Sequence, residues 1–160
     1  MPTLSHLDHN GRARMVDVSV KTPTLRRART HCLIRLSAEA FEAVQTQRLG
    51  KGDPFTVAKI AGIQAAKRTA ELIPLCHPLP IEHLDVSFEL DARTRTVRVV
   101  AEARTTAKTG IEMEALMAAA VGALTLYDMV KAVDPGATMT EWQLLRKTGG
   151  KDEFVRGSAS

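Results

Sequence analysis

Two alternating stretches constrain the fold of this chain more than any other feature. Leu84, Val86, Phe88 and Leu90 alternate with Asp85, Ser87 and Glu89; Val97, Val99, Ala101 and Ala103 repeat the pattern, with Arg98, Glu102 and Arg104 on the other side. A period of two gives each strand one apolar and one polar face. Residues 91–96 between them are turn-length, so the pair forms an antiparallel hairpin. A lone hairpin is marginal in water, so the apolar face demands a covering layer and further strands.

Helices can supply that cover. Ser37 is placed to cap a short helix with Glu39 in its first turn and Ala40, Phe41 and Val44 inward. Asp53 and Pro54 open a second helix expected to run to about Leu72. Its inner face reads as Val57, Ile60, Ala61, Gln64, Ala65 and Leu72, while Ala58, Gly62, Ala66 and Ala70 keep it slim. A long helix over 111–133 is stopped by Asp134-Pro135-Gly136. Strands are expected over 30–36 and 138–147, and a short extended piece over 15–20; residues 21–27 read as a loop. Two consecutive helices collapse to one layer element, and the order becomes β-α-β-β-α-β: an α+β, ferredoxin-like antiparallel sheet with helices on one face and an N-terminal extended segment. The second sheet face, read as apolar with few aromatics to shield it, is expected to be covered by oligomerisation.

The length of 160 residues predicts a single domain over 1–160, with residues 1–28 partly mobile and 149–160 a flexible tail. Lys and Arg number 22 against 18 Asp and Glu, a net +4 too small and too mixed for a nucleic-acid binder but suited to an anionic small molecule. Two cysteines, Cys32 and Cys76, cannot build a disulfide framework or a four-thiolate zinc site, and a reducing, cytoplasmic compartment fits. The N-terminus lacks the apolar stretch of a secretory signal. The longest apolar run, 115–127, falls short of the ~20 residues that span a bilayer and lies between Glu114 and Asp128, so it reads as a buried helix.

Several residues carry chemistry. Lys51, between Gly50 and Gly52 at a helix N-terminus, is either part of an anion cradle or a solvated loop cation; the spacing is not that of a P-loop. Leu75-Cys76-His77-Pro78 is a rigid segment bracketed by Pro74, Pro78 and Pro80. His77 can move a proton near neutrality or serve structurally, and adjacent Cys76 and His77 point apart, which opposes joint metal ligation. Glu112 and Glu114 open the long helix, where carboxylates favour the dipole. Asp128 and Lys131, three apart, share a face at what reads as a buried edge: an acid–base pair or an ordinary intrahelical ion pair.

Taken together these segments are distinctive. Gly50-Lys-Gly-Asp, Ala61-Gly-Ile-Gln-Ala-Ala-Lys-Arg-Thr, Leu72-Ile-Pro-Leu-Cys-His-Pro-Leu, Lys108-Thr-Gly-Ile-Glu-Met-Glu-Ala-Leu, Ala123-Leu-Thr-Leu-Tyr-Asp-Met-Val-Lys-Ala and Leu144-Leu-Arg-Lys-Thr-Gly-Gly-Lys, with Arg12-Ala-Arg-Met-Val-Asp-Val-Ser before them, closely resemble the molybdenum cofactor biosynthesis protein C family over residues 4 to about 154. Members are cyclic pyranopterin monophosphate synthases. The resemblance implies a ferredoxin-like hexamer, a trimer of dimers with sites at subunit interfaces. It also implies a lyase reaction that converts (8S)-3′,8-cyclo-7,8-dihydroguanosine 5′-triphosphate, supplied by a radical S-adenosylmethionine enzyme, to cyclic pyranopterin monophosphate with release of pyrophosphate. By the same resemblance, Leu75, Cys76, His77, Met113 and Glu114 contact substrate, and Asp128 is the acid/base. Lys51 and Lys131 handle phosphate or protons, and Glu112 and Lys147 match further site residues. No metal site and no required cofactor are expected; magnesium would enter with the substrate phosphates. Two departures stand out: Thr30-His-Cys, where relatives commonly carry smaller residues, read as a strand edge, and Lys59, where many have Arg.

Two competing classes share the topology. An RNA- or nucleotide-binding module would stack bases on aromatics of the central strands; residues 97–104 hold none, and the other middle strand, read as 84–90, offers only Phe88. A purely structural ring-forming subunit would leave Cys76-His77 and Asp128-Lys131 without a purpose.

Overall fold

The computed structural model describes residues 6–157. In chain order its elements are β1 (Thr24–Arg35), α1 (Ala38–Gln45), α2 (Pro54–Lys67), α3 (Thr69–Leu72), β2 (His83–Asp91), β3 (Thr96–Ala107), α4 (Glu112–Val130), β4 (Thr138–Thr148) and β5 (Phe154–Val155). The strands form one sheet in the order β2-β3-β1-β4-β5, every pair antiparallel. The first four strands have the ferredoxin-like order, and the helices lie on one face, as the alternation requires.

Local chemistry sets the element ends. Ser37 Oγ accepts from the Ala40 amide at 3.2 Å, and the Asp134 carboxylate accepts from the Ser37 amide at 2.6 Å, tying the start of α1 to the segment after α4. Asp53 caps α2 by accepting from the Phe55 amide at 3.0 Å. In the hairpin turn, Asp91 accepts from the Arg93 amide at 2.9 Å.

The core lies between α4, α2 and the inner face of β1 and β3. Ile34, Val97, Val99, Ala101, Ala118, Ala119, Ala123 and Leu126 are all fully buried there. The face of α2 that turns inward is the small one. Pro54, Ala58, Gly62 and Ala66 are buried, whereas Val57, Ile60 and Leu72, expected inside, are exposed. Close approach explains the reversal: a Cβ on Gly62 would sit 2.7 Å from the Ala118 carbonyl oxygen of α4. Helices packed this tightly exclude branched side chains from their contact line. The segment Glu112–Val130 is long and apolar enough to cross a membrane, with a mean hydropathy of 1.4, but half of that window is buried inside the protein. It is the core helix.

Backbone pairing moves several boundaries. β1 begins at Thr24, paired to Ala107 of an equally long β3, so part of the expected 21–27 loop is strand. Residues 15–20 have no sheet partner and stay irregular. The edge beside β4 is taken instead by β5, through Arg146↔Val155, inside the stretch expected to be a frayed tail. Thr30, His31 and Cys32 lie in a central strand, not at an edge. The outer sheet face is polar, not apolar. It carries Arg29–Glu102 and Arg98–Glu89 ion pairs at 3.3 Å each, with His31 buried between Arg98 and Gln143. Most apolar residues of β2 and β3 are spent on the helical side, which leaves this face largely to charged ones, with Val100 buried opposite His31.

Candidate active site

The expected site residues fall into two groups, one at each end of α4. At the C-terminal end, Lys131 Nζ lies 2.6 Å from Asp128 Oδ1, the i,i+3 pair that helical spacing predicts. Lys51 reaches across from the loop before α2. Its Nζ donates to the Asp128 backbone carbonyl at 3.0 Å and approaches Oδ2 at 3.4 Å. Two cations thus hold one carboxylate at a helix C-terminus, where positive charge is favoured. The Asp53 carboxylate caps the α2 N-terminus, and the Lys51 ammonium turns to Asp128. Asp128 was expected at a buried edge, yet its side chain is 57% exposed, with Lys131 at 53% and Lys51 at 51%. Its pKa is held below the usual carboxylate value, first by the Lys131 hydrogen bond and charge and then by Lys51; Lys131 is raised in return.

The N-terminal end is drier. Glu114 is 5% exposed, and burial pushes its carboxyl above the ordinary range, with the neighbouring Glu112 charge adding to the effect. Glu112 pairs with Lys147 of β4 at 3.2 Å. Its carboxylate folds back over Gly110, where any Cβ would collide with it. The Cys76 thiol is raised by burial and by Glu114. His77 turns the other way and donates from Nε2 to the Val16 carbonyl at 2.7 Å. Leu75 and Met113 are half-buried on the same segments. Thr105 Oγ1 donates to the Pro80 carbonyl, which pins this proline-rich loop against β3.

Two participants escaped the sequence. The irregular 15–20 segment supplies the Val16 carbonyl to His77, and the Ser19 carbonyl accepts from Lys108 Nζ at 2.8 Å. No local signal reports contacts across 61 and 89 residues. Lys59, the departure from Arg, pairs with Asp85 of β2 at 2.6 Å and belongs to neither group.

A family model described as the MoaC family matches residues 15–150 and so contains every residue of both groups. The chain belongs to the MoaC family. Curated relatives agree over almost the whole length. The protein of Heliobacterium modesticaldum is 48% identical across 98% of this chain and 99% of its own. That of Roseiflexus sp. is 49% identical across 97% and 99%, and that of Geotalea uraniireducens 49% identical across 96% of each. All three carry the name cyclic pyranopterin monophosphate synthase. The RNA-platform reading loses its support in this MoaC-family chain. The central strands are β3 and β1, not β2; neither holds an aromatic residue, and Phe88 of edge strand β2 packs against Phe55 of α2 with ring centroids 5.0 Å apart.

Proposed function

We infer that this chain is a cyclic pyranopterin monophosphate synthase, a lyase that converts (8S)-3′,8-cyclo-7,8-dihydroguanosine 5′-triphosphate to cyclic pyranopterin monophosphate with release of pyrophosphate in molybdenum cofactor biosynthesis. The observation that carries this reading is the near-full-length identity with relatives of that name. The chemistry of the two α4 ends fits it. A triphosphate needs cations, and Lys51 and Lys131 are held together on a single carboxylate that anionic oxygens can displace. Closing a cyclic phosphate requires a hydroxyl to lose a proton and attack the α-phosphorus while pyrophosphate departs. Asp128, kept ionised by its lysines, is suited to accept a proton, and the lysines to stabilise charge on the leaving pyrophosphate. Glu114, pushed toward its protonated form, is suited to donate one. Such chemistry needs no redox cofactor; magnesium would enter with the substrate phosphates.

Glu114 and Asp128 lie on one helix, fourteen residues apart, so their backbones are separated by about 21 Å at 1.5 Å per residue. If both serve one reaction, they come from different chains. Antiparallel α4 helices about a two-fold axis would place the start of one beside the end of the other. Exposed Leu124 and Trp142, both more than half accessible, supply apolar surface for such an assembly. A hexamer built as a trimer of dimers, a radical S-adenosylmethionine enzyme as the source of substrate, and cytoplasmic residence beside two free thiols belong to the same proposal. The deciding assay incubates the protein with the cyclised GTP intermediate and measures pyrophosphate. Release well above background is expected; folded protein that releases none would sink the reading.

A further inference from the structure

We propose that the outer face of the sheet carries a second anion site, separate from both ends of α4, that takes an oligophosphate: pyrophosphate or the phosphate tail of a nucleotide. A concavity of about 340 Å³ opens there, lined by Arg27, Arg29, Arg104, Arg146, His83 and Glu102. The strand register brings these side chains together. Arg27 lies directly opposite Arg104 on β3, and Arg29 directly opposite Arg146 on β4, so two like-charged cross-strand pairs converge on one hollow. Like charges in that relation destabilise a sheet unless something neutralises them. Among the described residues, the only ion pair in the group is Arg29 with Glu102, at 3.3 Å. Arg27, Arg104 and Arg146 have no carboxylate partner there. Four guanidinium groups against one carboxylate leave a local excess of +3, close to the net +4 of the entire chain. Guanidinium forks bind phosphoryl oxygens two at a time, and the two arginine pairs, two residues apart along β1, are spaced about 7 Å, room for more than one phosphoryl group. The alternation that buries Ala28 and Thr30 against the helices turns Arg27 and Arg29 away from Glu112 and Lys147, so the hollow lies behind that end of α4 and shares no side chain with it.

The test removes the other phosphate-handling lysines first. The full chain carrying Lys51→Ala and Lys131→Ala is titrated with inorganic pyrophosphate by calorimetry. Saturable binding is expected to persist, to weaken as salt rises, and to fall by at least about tenfold when Arg104→Gln and Arg146→Gln are added. Arg27→Lys keeps the charge but loses the fork, and is expected to weaken binding several-fold even if the double arginine variant does not fold. Titration with GTP separates the sources: tighter binding than pyrophosphate assigns a nucleotide, equal binding the free anion. No saturable binding in the lysine-deficient chain, or an affinity indifferent to the arginines, would overturn the site. So would arginine variants that dissociate the assembly in sedimentation while binding is untouched, since the hollow would then be a subunit contact. These affinities do not depend on turnover, so loss of the synthase reading would leave them standing.

Discussion

The two ends of α4 hold the same kinds of side chain and treat them in opposite ways. At the C-terminal end, Asp128, Lys51 and Lys131 are each more than half exposed, and mutual pairing alone drives Asp128 down and Lys131 up. At the N-terminal end, burial dominates: Glu114 is raised and Cys76 is raised, while Glu112 and Lys147 are about three-quarters and two-thirds covered. One helix therefore presents an ionised carboxylate at one end and a carboxyl biased toward its neutral form at the other. Solvent decides the difference, since an exposed charge answers to its partners and a buried one to the loss of water. Environments that push two carboxyl groups apart are how one protein keeps both an acid and a base near neutral pH.

The largest effect should come from breaking the exposed end. Lys51→Ala and Lys131→Ala are each expected to lower turnover by about 100-fold or more, with far-UV circular dichroism and melting temperature nearly unchanged, because surface substitutions rarely move stability by more than about 0.5 kcal/mol. Near-normal pyrophosphate release in either variant would remove that lysine from the site. Asp128→Asn follows at nearly constant shape. It should lower kcat by about 100-fold and change KM much less, and a pure KM effect would recast Asp128 as a positioning residue.

Recombining the two ends should give an intermediate effect. Glu114→Ala and Asp128→Ala chains, unfolded together and refolded as mixed dimers, should recover about a quarter of wild-type sites, since half of the dimers are mixed and one of their two sites is intact. Mixed assemblies verified by mass spectrometry that regain nothing would confine each site to one chain.

The smallest effect is in stability against pH, and its sign separates the ends. Glu114 has a folded pKa above its ordinary 4.5, so the folded state holds the proton longer than the unfolded one. Its contribution is fully present below 4.5 and is lost as pH rises through the raised value. Glu114→Gln should therefore flatten that decline and raise the melting temperature near pH 7 by about 2–4 °C. Asp128 has a folded pKa below its ordinary 3.8, so its contribution is present above 3.8 and is lost as pH falls through the lowered value. Asp128→Asn should lower the melting temperature slightly at every pH above about 3.8 and converge on the wild type as pH falls through the lowered value. Parallel profiles for the two variants would break the contrast.

Much of this was legible in the residues. The hairpin followed from alternation, the helix starts from Ser37 and Asp53, and the end of α4 from Pro135 and Gly136. The motifs named the family, and they also picked out the residues that gather at the two ends of α4. The inward face of α2 was not legible, because apolarity favoured Val57 and Ile60 while the actual choice rested on how closely α4 approaches Gly62. The polar outer sheet face was legible in the alternation of β2 and β3, which the expectation of an apolar second face set aside.

What the sequence determined by itself is whatever acts over a few residues: periodicity, caps, breakers, and the Asp128–Lys131 spacing. Tertiary structure alone decided that Lys51, 77 residues away, would share Asp128, that Glu114 would be dry while Asp128 stayed wet, and that four arginines from three strands would face one hollow. The physical reason is that a charge takes its character from water and from neighbours, and both are assigned only when distant parts of the chain come together.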